Sequence, residues 1–352
     1  MTNSNIDKPW PEGSLDKVTR CPVCEGAGRS LLHEGLTDRI FYCAPGMWTL
    51  WKCSSCGSAY LDPRPNEESI GLAYSNYFTH ENRLKQAKEL SLWNRIRRTL
   101  GNGYRNNKFG SNLSPASKLG MLLGIFPSQR LLKEQEFRNL EKSSFRQRLL
   151  DVGCGNGDFL YFAKSTGREV VGIDPDPEAV SVANSRGLDV RHGNIDILDP
   201  EVEKFDVITL GHVIEHVHNP ADFLGKCFNM LKKGGYIWIE TPNIESEGHF
   251  IYGRNWRGLE PPRHLVIFSY GSLVRTLESA GFSSVQDMPY RSLCRDIFAL
   301  SEAISKKENN GLFLKTKRIS EECKKNIKTS EKKALKDKSV REFITLKAFK
   351  GR

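Results

Sequence analysis

Residues 149–160 read LLDVGCGNGDFL. Leu149, Leu150 and Val152 form a short apolar run that suits a buried parallel strand. Asp151 falls at its C-terminal end, where open α/β sheets bind their ligands. Gly153, Gly155 and Gly157 follow at alternate positions, and glycine lets a ligand lie against bare main chain. Asp158 is the expected N-cap of a helix through Phe159, Leu160 and Phe162. The spacing is D-x-G-x-G-x-G, which is not the G-x-G-x-x-G of dinucleotide sites.

The pattern continues downstream. Glu169 to Ile173 reads as a second strand with Asp174 at its end, 19 residues past Gly155. An acid about 20 residues on is the usual partner of ribose hydroxyls. Pro177–Arg186 reads as a helix closed by Gly187. Residues 188–192, 205–210 and 236–239 read as the third, fourth and fifth strands. Helices are expected at 221–233, ending at Gly234-Gly235, and at 269–280, ending at Gly281. Residues 282–290 are a sixth strand and Glu342–Phe349 a last one. This alternation predicts an α/β fold: a doubly wound, mostly parallel sheet of seven strands.

On these residues the chain resembles the class I S-adenosylmethionine (SAM)-dependent methyltransferases, whose motif I has this glycine spacing. The resemblance implies SAM as cofactor, held at Asp151, Gly153, Gly155 and Gly157. Asp174 would take the ribose and Pro175 would pack on the adenine. Asn194 and Ile195 match the positions that read the adenine edge, although many members carry Asp at the first. Gly211 and His212 match the segment near the methionine half. The family's seventh strand inserts antiparallel beside the sixth, which places Glu342–Phe349.

Nine cysteines, an odd number with four of them in pairs, favour metal over disulfides. Cys21-Pro22-Val23-Cys24 and Cys53-Ser54-Ser55-Cys56 are two C-x-x-C knuckles, and four thiolates complete a tetrahedral, structural Zn²⁺ site. The stretch between them is expected to hold strands at 41–42 and 47–52, with Cys43 a spare buried thiol. The second knuckle, a strand and Asp62-Pro63-Arg64-Pro65 resemble the zinc-ribbon leader of methyltransferases from bacterial polysaccharide and glycan clusters. The expected organisation is a disordered leader 1–19, a small β zinc ribbon 20–65, a helical linker or cap 66–145 and the methyltransferase domain 146–352. The last carries a basic helical insertion at 291–339.

Residues 301–352 hold 16 Lys and Arg against 7 Asp and Glu, so they carry +9 of the net +10. The basic balance therefore describes a solvated tail, and nucleic acid is not the expected partner. Nothing in the polar first twenty residues resembles a secretory signal, and no apolar run reaches the ~18 residues that span a bilayer, so a cytoplasmic location is expected. Leu119–Phe126, LGMLLGIF, has two readings. The favoured one is core of a cap over the active site; the other is peripheral contact with the inner face of a membrane.

An alcohol acceptor needs a base. His264, in PPRHLVIFS (261–269), is the first candidate and His216 the second. Tyr252, Trp256 and Arg263 are candidates to hold a sugar ring and an anionic phosphate. No base-amino methyltransferase motif and no Pro-Cys nucleophile follows the fourth strand. The implied acceptor is a sugar hydroxyl on a nucleotide-linked or lipid-linked saccharide. An RNA-modifying enzyme and a non-catalytic SAM-binding scaffold remain as alternatives, and the oligomeric state is open.

Overall fold

The computed structural model describes residues 8–74, 91–306 and 319–351. Its N-terminal part begins with β1 (Leu15–Asp16), β2 (Arg29–Leu36), β3 (Trp48–Cys53), β4 (Ala59–Leu61) and β5 (Arg64–Pro65), the last closing on β1. The disordered leader is corrected from residue 8 onward. Trp10 is buried edge-on against Trp48, centroids 5.2 Å apart, and Val18 N–H donates to Asp62 at 2.7 Å. Two apolar side chains gave the segment something to bury. The strand expected at Phe41-Tyr42 is also absent. Those residues wrap around the Asp38 carboxylate, which accepts the N–H groups of Phe41, Cys43 and Ala44 at 3.0–3.1 Å. β2 takes the expected place beside β3.

A 3-10 helix at Ile70–Tyr74 follows, then α1 (Leu92–Phe109), a 3-10 helix at Lys118–Ile125 and α2 (Pro127–Glu136). The favoured reading of 119–126 as cap core is overturned. Gly120 is buried on α1, but Leu119, Met121, Leu122, Ile125 and Phe126 are exposed.

The larger sheet is built from β6 (Arg148–Val152), α3 (Asp158–Ser165), β7 (Glu169–Asp174), α4 (Pro177–Ser185), β8 (Asp189–His192), β9 (Phe205–Gly211), α5 (Pro220–Met230) and β10 (Leu231–Pro242). After α6 (Glu247–Tyr252), β11 (Val266–Ile267) and α7 (Tyr270–Ser279), it is completed by β12 (Ser283–Asp287) and β13 (Phe343–Phe349). The order is β12-β13-β10-β9-β6-β7-β8, with β13 antiparallel to both neighbours and the other pairings parallel. This is a Rossmann-like, mostly parallel mixed sheet. Two helix ends differ from expectation. Asp158 is the first residue of α3 and not its cap, since Gly157 takes the cap position at φ 77°. α5 stops at Met230 because Leu231 already pairs with Phe205 as strand.

α8 (Cys294–Ser305) and α9 (Glu321–Lys336) lie between β12 and β13. They bury Cys294, Phe298 and Cys323 together and pack on Tyr252. The basic insertion is thus a docked helical pair and not only a solvated excursion. The ribbon boundary also needs correction. β11, from within the larger α/β part, pairs antiparallel with β4 and makes the order β11-β4-β3-β2. The N-terminal sheet is therefore finished by a strand more than 200 residues further along the chain.

Candidate active site

The strand order reverses between β6 and β9, so their C-terminal ends border a crevice, the usual ligand position in such sheets. The glycine loop lies there. A Cβ at Gly153 would strike Val213 at 2.6 Å and one at Gly157 would strike Leu188 at 2.5 Å. Gly155 differs: at φ 53° its Cβ would meet nothing within 4 Å, so its bare backbone faces open space. Asp174, at the tip of β7, accepts Gly155 N–H at 2.7 Å and Asp176 N–H at 3.0 Å. It is nearly buried, and burial raises its pKa above the usual carboxylate range despite those two donors. Asp151 is fully buried. One of its oxygens meets Arg138 and Thr209, while Oδ2 has no partner among the described residues.

Arg138 had no sequence signal, because it sits in an aperiodic linker 13 residues before Asp151. Its guanidinium covers the Phe159 ring at 4.0 Å and approaches Gly211. Pro175 is exposed and its carbonyl lies 3.0 Å from His192 Nε2. Ile195 is buried, and Asn194 spends its side-chain oxygen on Asp196 N–H at 2.9 Å.

Beyond β9, His212 has φ 58°, a left-handed conformation uncommon outside glycine. Its backbone N–H donates to the Glu240 carbonyl at 2.9 Å. Its ring lies 3.3 Å from Glu215 and 3.6 Å from Glu240. The ring keeps 43 % of its surface open yet is densely surrounded. That crowding opposes charge, but the two carboxylates outweigh it and raise the pKa to about 9. Glu240 is also buried, and His212, Arg291 and Thr345 hold it down at about 2. A shallow cleft opens here, lined by Glu240, Tyr290, Arg291, Arg341 and Phe343.

The structure brings His216 and His264 together, ring centroids 4.9 Å apart. His264 Nδ1 lies 2.8 Å from the Gly258 carbonyl and His216 Nδ1 lies 2.9 Å from the Arg263 carbonyl. Carbonyls only accept, so each Nδ1 carries a proton, and the lone pair of the neutral ring would lie on Nε2. Burial lowers the His264 pKa to about 4 even with Glu260 nearby. One donor atom each from Glu215, His216 and His264 lie within 4.8 Å of one another, a set able to hold a proton or a cation. The donors of Cys21, Cys24, Cys53 and Cys56 meet the same limit, with sulfurs 3.6 Å apart in the pairs Cys21–Cys56 and Cys24–Cys53.

The three substrate candidates are corrected. Arg263 is fully buried, its guanidinium spent on Asp38 at 2.6 Å and Glu260 at 3.1 Å. Trp256 is buried and donates to Glu342 at 3.0 Å. The Tyr252 hydroxyl donates to Cys323 Sγ at 3.5 Å, inside the helical insertion. Sequence favoured them because aromatics and arginine suit a sugar phosphate; burial and prior partners remove them from that role.

Residues 115–287 match a family described as a methyltransferase domain. A protein of Mycolicibacterium smegmatis described as a "probable S-adenosylmethionine-dependent methyltransferase" is 33 % identical over 38 % of this chain and 51 % of its own length. A ubiquinone biosynthesis O-methyltransferase of Glaesserella parasuis is 33 % identical over 30 % of this chain and 50 % of its own. The chain thus spans about half the length of these relatives. A solved SAM-dependent methyltransferase of Archaeoglobus fulgidus shares 20 % identity over 62 % of this chain and 98 % of its own, at a TM-score of 0.37. With the glycine loop and Asp174 at the reversal of the strand order, residues 115–287 are similar to methyltransferase domains, S-adenosylmethionine-dependent ones among them.

Proposed function

We propose that the chain O-methylates a sugar hydroxyl of a nucleotide-linked or lipid-linked saccharide. The observation that carries the choice of an oxygen acceptor is the uncommitted Nε2 of buried His264, beside Glu215 and His216. When bound, SAM supplies an electrophilic methyl on its sulfonium. Gly155 and Asp174 fit its nucleoside, since the loop offers bare backbone and a carboxylate. Arg138 fits the carboxylate of its methionine half. His264 takes the hydroxyl proton at Nε2 while Nδ1–H stays on the Gly258 carbonyl, so the ring cannot turn away. Glu215 and Glu260 stabilise the imidazolium that forms. Arg341, in the cleft beside Glu240, supplies a cation for a phosphate that Arg263 cannot offer, while Arg291 is held by Glu240.

We also read the four clustered cysteines as a structural zinc site. Sulfurs 3.6 Å apart approach the edge of about 3.8 Å of a tetrahedron with Zn–S bonds of about 2.3 Å.

A second reading, a phenolic hydroxyl of a quinone precursor, is supported by the names of relatives such as the Glaesserella parasuis enzyme. Radiolabelled SAM offered with nucleotide sugars, polyprenyl-phosphate sugars, catechols and RNA separates these. We expect label on a sugar, and a His264→Ala turnover lower by roughly 10²–10⁴ with unchanged calorimetric affinity for SAM. Label on the catechols would favour the second reading; label on RNA alone would overturn both.

A further inference from the structure

We propose that α1 and the 3-10 helix at 118–125 form a docking face for an anionic lipid bilayer. Residues 91–133 contain eight Lys and Arg and no Asp or Glu. Within this stretch the two elements cross backbone to backbone. A Cβ at Gly103 would fall 1.8 Å from the Ser117 carbonyl oxygen, and one at Gly120 would fall 2.1 Å from that of Leu100. A crossing that close leaves no space for side chains between the helices, so the larger ones turn outward.

Side chains at i and i+3 eclipse in a 3-10 helix. Leu119, Leu122 and Ile125 therefore form one ridge, and they are 67, 56 and 71 % exposed. On the first turns of α1, Leu92, Trp93 and Ile96 are exposed as well. Eight of the 19 exposed large apolar side chains among the described residues lie between positions 92 and 126. That is a patch, not the single scattered residues normal on a surface.

The charges decide what covers it. Arg105, Lys108, Arg130 and Lys133 are paired with Glu134 or Glu136 of α2. Arg95, Arg97, Arg98 and Lys118 pair with no carboxylate among the described residues, and they interleave with the apolar positions. Apolar side chains beside cations that meet no carboxylate among the described residues complement acyl chains beneath anionic headgroups. A second copy docking by a two-fold axis would instead set these cations against their own images. No helix among the described residues is long and apolar enough to cross a membrane, so the contact lies in the interface.

The test is flotation of the purified chain of residues 1–352 with vesicles, without SAM or acceptor, so its failure is separate from any failure of the saccharide reading. Binding is expected to vesicles of equal parts phosphatidylglycerol and phosphatidylcholine, to weaken with salt, and to be far lower on phosphatidylcholine alone. Trp93 emission should shift to the blue on binding. Arg95→Ala/Arg97→Ala/Arg98→Ala should weaken binding roughly a hundredfold, at about fivefold per cation. Leu122→Glu/Ile125→Glu should lower it on the order of tenfold or more. Both variants should keep the parent's SAM affinity, which shows that they fold. No binding by the parent, equal binding by the ridge variant, or indifference to anionic lipid would overturn the proposal. Reversible self-association abolished by the ridge variant, without vesicle binding, would assign the face to a second copy.

Discussion

Asp174 does two jobs with one carboxylate: it ties the glycine loop to β7 through Gly155 N–H and it faces the crevice. Asp174→Ala should weaken SAM binding on the order of tenfold or more, since a charged acceptor is lost. Unchanged calorimetric affinity would remove the residue from the site. Gly155→Val puts side chain into the open space seen at that position and also meets the left-handed φ. We expect loss of SAM binding with a folding cost of only about 1–2 kcal/mol from the backbone, measured by urea unfolding. His264, with its pKa near 4, is unprotonated throughout the neutral range. If it is the base, kcat/KM should hold level from neutrality down and fall only toward pH 4–5. An acid limb centred near the ordinary histidine value of about 6.5 would point to another group.

At the level of elements, the segment 260–267 is held by the N-terminal sheet. β11 pairs with β4, Arg263 is clamped by Asp38 across the same boundary, and the Leu265 N–H donates to the Glu215 carbonyl at 2.8 Å. A buried pair costs desolvation, but breaking it strands the other charge. Arg263→Met should therefore destabilise by about 3–5 kcal/mol, and Asp38→Leu/Arg263→Met by less than the sum of the single changes. Additive values in a denaturant double-mutant cycle would show that the pair is not coupled. The knuckles and His264 were both visible in the sequence as motifs. Nothing in the sequence said that they share a sheet, because β4 and β11 are three- and two-residue strands with no period of their own.

For the whole molecule, that shared sheet joins the cysteine cluster to the segment that carries His264. If zinc sits in the Cys₄ cluster, chelation should lower Tm and also loosen the 260–267 segment, read as faster amide exchange at Leu265 and Val266. Ribbon unfolding with unchanged exchange there would separate the two. Glu342 adds a pH dependence. Its carboxylate is buried against Trp256 and Gly248, and burial raises its pKa to about 7. A raised carboxyl pKa favours the folded state while protonated, so stability is fully present below about 4.5 and declines as pH rises through 7. The loss is on the order of 3 kcal/mol, and Glu342→Gln should remove that part of the slope in Tm against pH.

The sequence by itself determined the sheet, the glycine loop and Asp174, because short-range periodicity and glycine spacing encode strand, turn and helix directly. It also determined the two knuckles, since four cysteines at that spacing have few other uses. Only the tertiary structure decided which polar groups remain free. Arg263 and Trp256 have the chemistry of a ligand site but are consumed by Asp38, Glu260 and Glu342, which lie as far as 225 residues away. Arg138, silent in the sequence, is brought onto Asp151. Residue type states what a side chain can bind, whereas packing between distant segments settles whether anything has bound it already.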